Sequence, residues 1–159
     1  MGALGWALLV TVGGRPEPVV SSVYAFAEEY GPPVHVHLFP SRATEALVPV
    51  VGAAVKALLG EVEVEHTVVD ETDIEACFRA VAGVVGEMKG RGLSVAVDVT
   101  PGRKTMSVAA YKAAVEGGAD LVLYLHLRCP EYEGEIYPFI PRHCARLVRL
   151  WGGGSAGEG

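Results

Sequence analysis

Short apolar runs alternate along the chain with longer segments in which apolar residues recur every three or four positions. A continuous apolar run is typical of a strand buried on both faces, and the wider spacing is typical of a helix with one buried face. The runs predict five strands, at residues 6–12, 34–39, 62–69, 93–99 and 121–127.

Four helices are predicted between these strands, at residues 19–30, 47–58, 74–88 and 106–117. Gly31-Pro32-Pro33 ends the first helix, and Pro49 leaves the start of the second open. Thr72 and Glu75 have the spacing of a capping box and predict the start of the third helix, with Ile74 on its buried face.

Strands that alternate with helices predict an α/β fold: a doubly wound, mostly parallel Rossmann-like sheet with helices on both faces. Residues 128–151 differ, with three prolines and a Glu133-Gly134 turn, and predict a C-terminal hairpin with an edge strand at 145–151. The 159 residues therefore form a single domain at 1–151. Residues 152–159 form a flexible Gly-rich tail, the composition of a linker.

Composition and charge exclude several classes of protein. Half the residues are hydrophobic, which excludes a disordered chain, and no apolar stretch is long enough to cross a membrane. The first residues lack the features of a secretion signal, so we expect a cytoplasmic protein. A net charge of −6 argues against binding of duplex nucleic acid. Three widely spaced cysteines predict no disulfide framework and fit a reducing compartment.

Basic residues concentrate where the predicted strands end. Loops and helix N-termini meet at the carboxyl edge of a parallel sheet, so ligands bind there. Five of the 13 basic residues fall in these loops and predict an anion site: Arg15, Arg42, Arg103, Lys104 and Arg128. The loop at Gly13-Gly14 lacks the spaced glycines of a dinucleotide fingerprint, and Lys104 does not close a Walker loop, so neither NAD nor ATP is expected.

The run Asp98-Val-Thr-Pro-Gly-Arg-Lys-Thr-Met106 carries the clearest chemistry. Gly102 permits a tight turn from strand to helix, Thr100 offers a hydroxyl, and Arg103 and Lys104 offer charge. Such a turn suits a phosphate or a carboxylate.

This run resembles the loop after the fourth strand in the CARF family, the CRISPR-associated Rossmann-fold domains, and the element order resembles that family over residues 6–127. The resemblance implies a homodimer that binds cyclic oligoadenylate, the second messenger of type III CRISPR immunity, across its twofold axis. It implies a ligand site at Gly13, Gly14, Arg15, Ser41, Arg42, Thr100, Pro101, Gly102, Arg103 and Lys104.

A lone domain of this kind resembles the ring nucleases, which degrade the messenger, because the sequence holds no effector nuclease motif. RNA carries its own nucleophile, the ribose 2′-hydroxyl, so no metal and no cofactor are expected. Lys104 would stabilise transition-state charge with help from Arg103, and Ser41 or Thr11 would orient the hydroxyl. The alternative is a non-catalytic sensor or dimerisation module.

Other polar and aromatic residues have more ordinary interpretations. His37 alternates with apolar residues, which favours burial under a helix over a role as general base. Asp98 is expected to accept N–H bonds from its own turn. Tyr132 and Tyr137 would either stack on adenine or cover the core. A zinc site is not expected from the irregular intervals of His126, Cys129, His143 and Cys144.

Overall fold

The computed structural model describes residues 4–153 of the chain. Six strands form one sheet, at β1 Trp6–Thr11, β2 His35–Phe39, β3 Glu63–His66, β4 Ser94–Asp98, β5 Leu121–Leu127 and β6 Ala145–Gly152. The four α-helices are α1 Glu17–Tyr30, α2 Val48–Leu59, α3 Ile74–Gly90 and α4 Lys104–Gly117. Within these residues, no helix combines the length and the apolarity that a membrane crossing requires.

The sheet has the strand order β3-β2-β1-β4-β5-β6. Strands β1 to β5 are parallel, and β6 pairs antiparallel with β5 at the sheet edge. The two central strands, β1 and β4, are neighbours although they belong to different halves of the chain. The predicted α/β class, with a C-terminal edge strand, is confirmed.

Helices cover both faces of the sheet, because the side chains of a strand alternate between its faces. Leu8 and Val10 of β1 pack with Phe26 of α1 on one face, where α2 also lies. Ala7 and Leu9 pack on the other face with α3 and α4. Small residues in α4 let it approach the sheet and α3 closely.

The start of α3 differs from its prediction. The Asp73 carboxylate accepts the N–H of Ala76 at 3.0 Å and is the N-cap. The Thr72 hydroxyl donates instead to Asp70 Oδ1 at 2.6 Å. This turn leaves Thr72 outside the helix, so the predicted capping box is wrong, and Ile74 in the first turn is 47% exposed rather than buried.

The segment between β5 and β6 consists of three short 3₁₀ turns, Pro130–Tyr132, Tyr137–Phe139 and Arg142–Cys144. Tyr137 and Ile140 pack on Ala25 of α1. At the far end, Gly152 still belongs to β6, and the Gly153 N–H donates to the Asp120 carbonyl at 3.0 Å. Gly152 and Gly153 are therefore held at the sheet edge, contrary to the prediction of a tail from residue 152, and the rest of the predicted tail, 154–159, lies outside the described residues.

Cys129 and Cys144 form a disulfide, which the sequence analysis did not expect. Their Cα atoms are 5.1 Å apart because β6 returns antiparallel to β5, with Leu127 opposite Ala145. The Arg128 N–H donates to the Cys144 carbonyl at the same point. The prediction of no disulfide is wrong, and the cysteines no longer favour a reducing compartment. Cys77 is buried in the core.

Candidate anion-binding site

The loops after β1 and β4 join into one surface at the carboxyl edge of the sheet. A Cβ atom built on Gly13 would lie 2.7 Å from the Gly102 nitrogen, so the two backbones touch. Gly102 has a φ of +92°, which favours glycine, and its own Cβ would lie 3.1 Å from Thr11 Cβ. We call this surface, Gly13 with Gly102, the glycine contact.

Thr11 and Pro101 lie beneath the glycine contact. The Thr11 hydroxyl donates to the Pro101 carbonyl, and both residues are buried. This bond spans 90 residues of sequence and fixes the β4 loop on the end of β1. In this arrangement the Thr11 hydroxyl supports the site from below, and a ligand would reach it only if the loops separated.

The N-terminus of α4 lies directly after Gly102. Arg103 is its N-cap in extended conformation, and no side chain caps the first N–H groups of the helix. These groups and the helix dipole favour an anion at this point. Lys104, the first helical residue, is exposed and belongs to none of the ion pairs found within residues 4–153.

Arg103 is paired with an acid that the sequence analysis did not single out. Its Nε lies 3.0 Å from Glu71 Oε2, and the Arg103 side chain is 73% exposed. The Glu71 carbonyl also accepts the Thr105 hydroxyl at 3.0 Å. Glu71 follows β3. Because the carboxyl ends of parallel strands meet at one edge of the sheet, Glu71 could have been predicted to lie near Arg103. The pair lowers the positive charge that Arg103 offers to a ligand.

An open groove of about 1100 Å³ lies beside this pair, between the segments that follow β2 and β3. Its walls include Ser41, Arg42, Asp70 and Glu71. Ser41 is buried, and its N–H donates to Thr44 Oγ1 at 2.9 Å. Hydrogen bonds from Thr72, and more weakly the charge of Arg42, hold the pKa of Asp70 below its usual value. The groove is thus of mixed charge.

A smaller cavity of about 330 Å³ lies on the other side of the glycine contact. Arg15, Thr100 and Tyr132 are among the residues that line it. The Arg15 guanidinium packs against the turn at Gly134. A Cβ built on Gly134 would lie 2.8 Å from Arg15 Nη2. Thr100 Oγ1 accepts the Leu125 N–H at 2.7 Å, which still leaves its own proton to donate.

Tyr137 does not line either cavity. It is buried, its hydroxyl donates to Glu28 Oε2 at 2.8 Å, and the Arg142 guanidinium lies 4.0 Å from its ring centroid. Of the two interpretations of this tyrosine, cover for the core is the correct one. Tyr132 is partly buried against the same cluster as Tyr137 and also lines the smaller cavity.

Asp98 is structural, as expected. Its Oδ1 accepts the Thr100 N–H at 2.9 Å, while its Oδ2 and the nearby Ser22 hydroxyl, both buried, have no hydrogen-bond partner. Burial raises the pKa of Asp98 to about 6, against the opposing effect of its bonds with Thr100. A neutral acid in this position can donate a hydrogen bond.

His37 and Arg128 lie away from the glycine contact. His37 is buried and interacts with His35 and Thr67, as its alternation predicted. Arg128 lies beside the disulfide and lines neither cavity. Gly14, in contrast, is exposed next to Gly13, with open space around it. Of the four residues that were not expected to form a zinc site, Cys129, His143 and Cys144 lie close together without His126, and the two sulfurs are bonded to each other.

Comparison with known proteins finds no matching family model and no matching curated protein. Solved structures do match. A type III CRISPR defence DNA nuclease activated by cyclic oligoadenylate aligns with a TM-score of 0.66 at 23% identity, over 94% of this chain and 20% of that one.

Two further structures match at lower identity. Can2 from Sulfobacillus thermosulfidooxidans, in complex with cyclic tetra-adenylate, has a TM-score of 0.58 at 16% identity, over 75% of this chain and 31% of that one. Csm6 from Enterococcus italicus, bound to cyclic hexa-2′-fluoro-hexa-dAMP, has a TM-score of 0.59 at 12% identity, over 91% and 41%. The chain thus spans well under half the length of each of these structures. At these identities the matches show that the chain shares the fold of a domain in these structures, in agreement with the resemblance stated above.

Proposed function

We propose that the chain binds cyclic oligoadenylate, with cyclic tetra-adenylate favoured, across the twofold axis of a homodimer. We further propose that it cleaves the ring without a metal to linear products with a 2′,3′-cyclic phosphate, which switches off type III CRISPR signalling. The observation that carries the proposal is the glycine contact with Lys104 beside it at the uncapped start of α4.

Binding follows from the match between this surface and a small anion. Glycines let the ligand approach the backbone, and the free N–H groups of α4 and the ammonium of Lys104 attract phosphate. A ring of identical nucleotides has a twofold axis, so two copies of the loop in a symmetric dimer can contact it from both sides. The net charge of −6 disfavours long polyanions such as duplex DNA. The proposed activity is a cytoplasmic one.

Cleavage needs only in-line geometry and charge stabilisation. The 2′-oxygen attacks the adjacent phosphorus and forms a new P–O bond, the P–O5′ bond breaks, the 2′-hydroxyl proton passes to water, and the 5′-oxygen takes a proton from water. Lys104 stabilises the charge that grows on the phosphoryl oxygens. Arg103 anchors a phosphate when it leaves Glu71, and Ser41 orients the ribose from the groove wall.

A non-catalytic sensor is the second candidate. It is favoured by the distance of His37 from the loops and by the Thr44 contacts that hold the Ser41 hydroxyl, because neither group then serves as a general base. The small share that this chain covers of its structural neighbours also fits a sensor domain that acts with an effector.

One assay separates the two candidates. The purified protein is incubated with cyclic tetra-adenylate or cyclic hexa-adenylate in EDTA, and the products are resolved by chromatography. Ring cleavage predicts linear oligoadenylates that end in a 2′,3′-cyclic phosphate. Tight binding with an intact ring after hours would replace the enzyme by the sensor, and the absence of binding would contradict both.

A further inference from the structure

Two buried histidines lie side by side on one face of β2, away from the proposed ligand site. His35 is 1% exposed and His37 is 4% exposed, and they share a face because strand side chains alternate. At a rise of roughly 3.3 Å per residue, His37 lies about 13 Å along the chain before Ser41. Neither imidazole is used in the function proposed above. Buried polar rings of this kind need partners.

The outer nitrogen of each imidazole faces an oxygen. His37 Nε2 lies 2.8 Å from Thr67 Oγ1, and His35 Nδ1 lies 3.3 Å from Glu63 Oε1. The two inner nitrogens, His35 Nε2 and His37 Nδ1, face each other at 3.3 Å. When the outer nitrogens carry the protons, the inner ones present lone pairs to each other. Burial lowers the pKa of both histidines, that of His37 to about 4.

A carboxylate completes the group from the neighbouring edge strand. Glu65 of β3 is opposite His37 in the sheet register, and its oxygen lies within 4.8 Å of a nitrogen of each histidine. Glu63 lies on the same face, and its hydrogen bond with Glu65 raises the pKa of Glu65. Arg91 pairs with Glu63 and Glu87, whereas Glu65 is in none of the ion pairs found within residues 4–153. Acidic groups therefore outnumber the single guanidinium beside the histidines.

We propose that His35, His37 and Glu65 bind a divalent transition metal ion, and that Zn²⁺ is the ion that fits them. Two Zn–N bonds of about 2.05 Å span the 3.3 Å between the inner nitrogens at an angle of about 107°, close to tetrahedral. Thr67 bonds the outer nitrogen of His37, the position that usually orients a metal-bound imidazole. The Glu63 carboxylate lies 3.3 Å from the outer nitrogen of His35 but makes no hydrogen bond with it.

The ion would fasten the edge of the sheet. Strand β3 is the outermost strand and is short, and Glu65 on it is exposed, which gives the ion a route to the buried nitrogens. Because the Glu65 oxygen lies within 4.8 Å of a nitrogen of each histidine, binding would require this side chain to turn toward the ion. One metal bond from β3 and two from β2 would then add to the ladder between these strands. This inference does not depend on the proposed ligand or on ring cleavage.

Zinc binding is measured on the chain with its disulfide intact, because bonded sulfurs do not bind metal. Calorimetry with Zn²⁺ alone is expected to show one ion per chain, and added Zn²⁺ should raise the melting temperature in a way that EDTA reverses. The variant Cys129→Ser/Cys144→Ser is titrated in parallel and should bind with the same affinity. Loss of zinc binding in that variant, if it folds, would assign the ion to the sulfur group and overturn the proposal.

Three further variants test the ligands without disturbing the core. Glu65→Gln should weaken Zn²⁺ binding by at least about tenfold, and Thr67→Val by about tenfold through the freed imidazole of His37. Glu61→Gln, an exposed acid outside the group, should bind as the parent does. Equal affinity in Glu65→Gln would remove Glu65 from the site, and no zinc binding by the parent would mean that the two inner nitrogens share a proton. Either result would overturn the proposal.

Discussion

Gly13 and Gly102 meet backbone to backbone, although 88 residues of chain lie between them: a Cβ on Gly13 would be 2.7 Å from the Gly102 nitrogen. The contact exists because β1 and β4 are adjacent in the sheet, so that their loops leave the same edge. The contact joins the glycine loop that follows β1 to the loop that precedes α4, and the proposed ligand site lies on these two loops. The site depends on this closeness.

Gly13→Ala should separate the two loops. The added methyl meets backbone that cannot rotate away, so we expect a loss of about 1–3 kcal/mol in the free energy of unfolding. Affinity for cyclic tetra-adenylate should fall by about tenfold or more. Gly14→Ala is the matched control for stability, because a Cβ on Gly14 meets no atom of the chain within 4 Å. Denaturant unfolding measures stability and calorimetry measures affinity, and equal losses of stability in the two variants would contradict this role for the contact.

Lys104 and Arg103 should differ in kinetics. Lys104→Ala is expected to lower the single-turnover cleavage rate by about 10²-fold or more, with a smaller loss of affinity, because its charge acts mainly in the transition state. Arg103→Ala should weaken binding more than it lowers the rate at saturation. Lys56→Ala, an exposed cation on α2, is the control. Cleavage by Lys104→Ala at the parent rate would remove Lys104 from catalysis.

Glu71→Gln should strengthen ligand binding. The carboxylate holds Arg103 at 3.0 Å and competes with a phosphate for it, whereas a glutamine leaves the guanidinium charge free. Since exposed pairs contribute about 0.2–1 kcal/mol, the dissociation constant should fall by about two- to fivefold. The gain should vanish in the background of Arg103→Ala. Weaker binding by Glu71→Gln would instead place Glu71 among the groups that contact the ligand.

The buried carboxyl of Asp98 should make stability depend on pH. Its pKa is about 6 in the folded chain and about 3.9 in the unfolded one, so between these values the folded state holds more protons. Stability contributed by the neutral acid is therefore lost as pH rises from 4 to 6, by about 3 kcal/mol as an order of magnitude. The low pKa of His37 acts in the opposite direction over about the same range.

Comparison with Asp98→Asn isolates this contribution. The amide keeps an oxygen for the Thr100 N–H and cannot ionise. Unfolding free energies measured from pH 4 to pH 7 should show the parent losing stability relative to the variant, because the His37 contribution is common to both. Parallel curves for the two proteins would mean that Asp98 has an ordinary pKa in the folded chain.

Much of the fold could be predicted because most of its strands are largely apolar and its helices have one apolar face. The five parallel strands and four helices follow from that periodicity alone. The N-cap of α3 was harder to predict, because Thr72 and Asp73 both have side chains that can cap a helix. In the structure the Thr72 hydroxyl bonds to Asp70, and Asp73 caps the helix instead.

Residues of the candidate site that directly follow a strand could be predicted from the order of strands and helices. Contacts between residues from distant loops could not. The basic residues at the strand ends follow from the parallel sheet. The ion pair of Arg103 with Glu71, the buried Thr11 hydroxyl and the disulfide of Cys129 with Cys144 arise from contacts between different loops. Linear spacing carries little information on such contacts.

The most direct test of the account is a calorimetric titration of the chain with cyclic tetra-adenylate in EDTA, with linear tetra-adenylate as the control of similar charge. Binding across the twofold axis of a dimer predicts one ring per two chains and much weaker binding of the linear form, whose ends remove the symmetry of the ring. One ring per chain, equal affinity for the linear control, or no heat of binding would contradict the account.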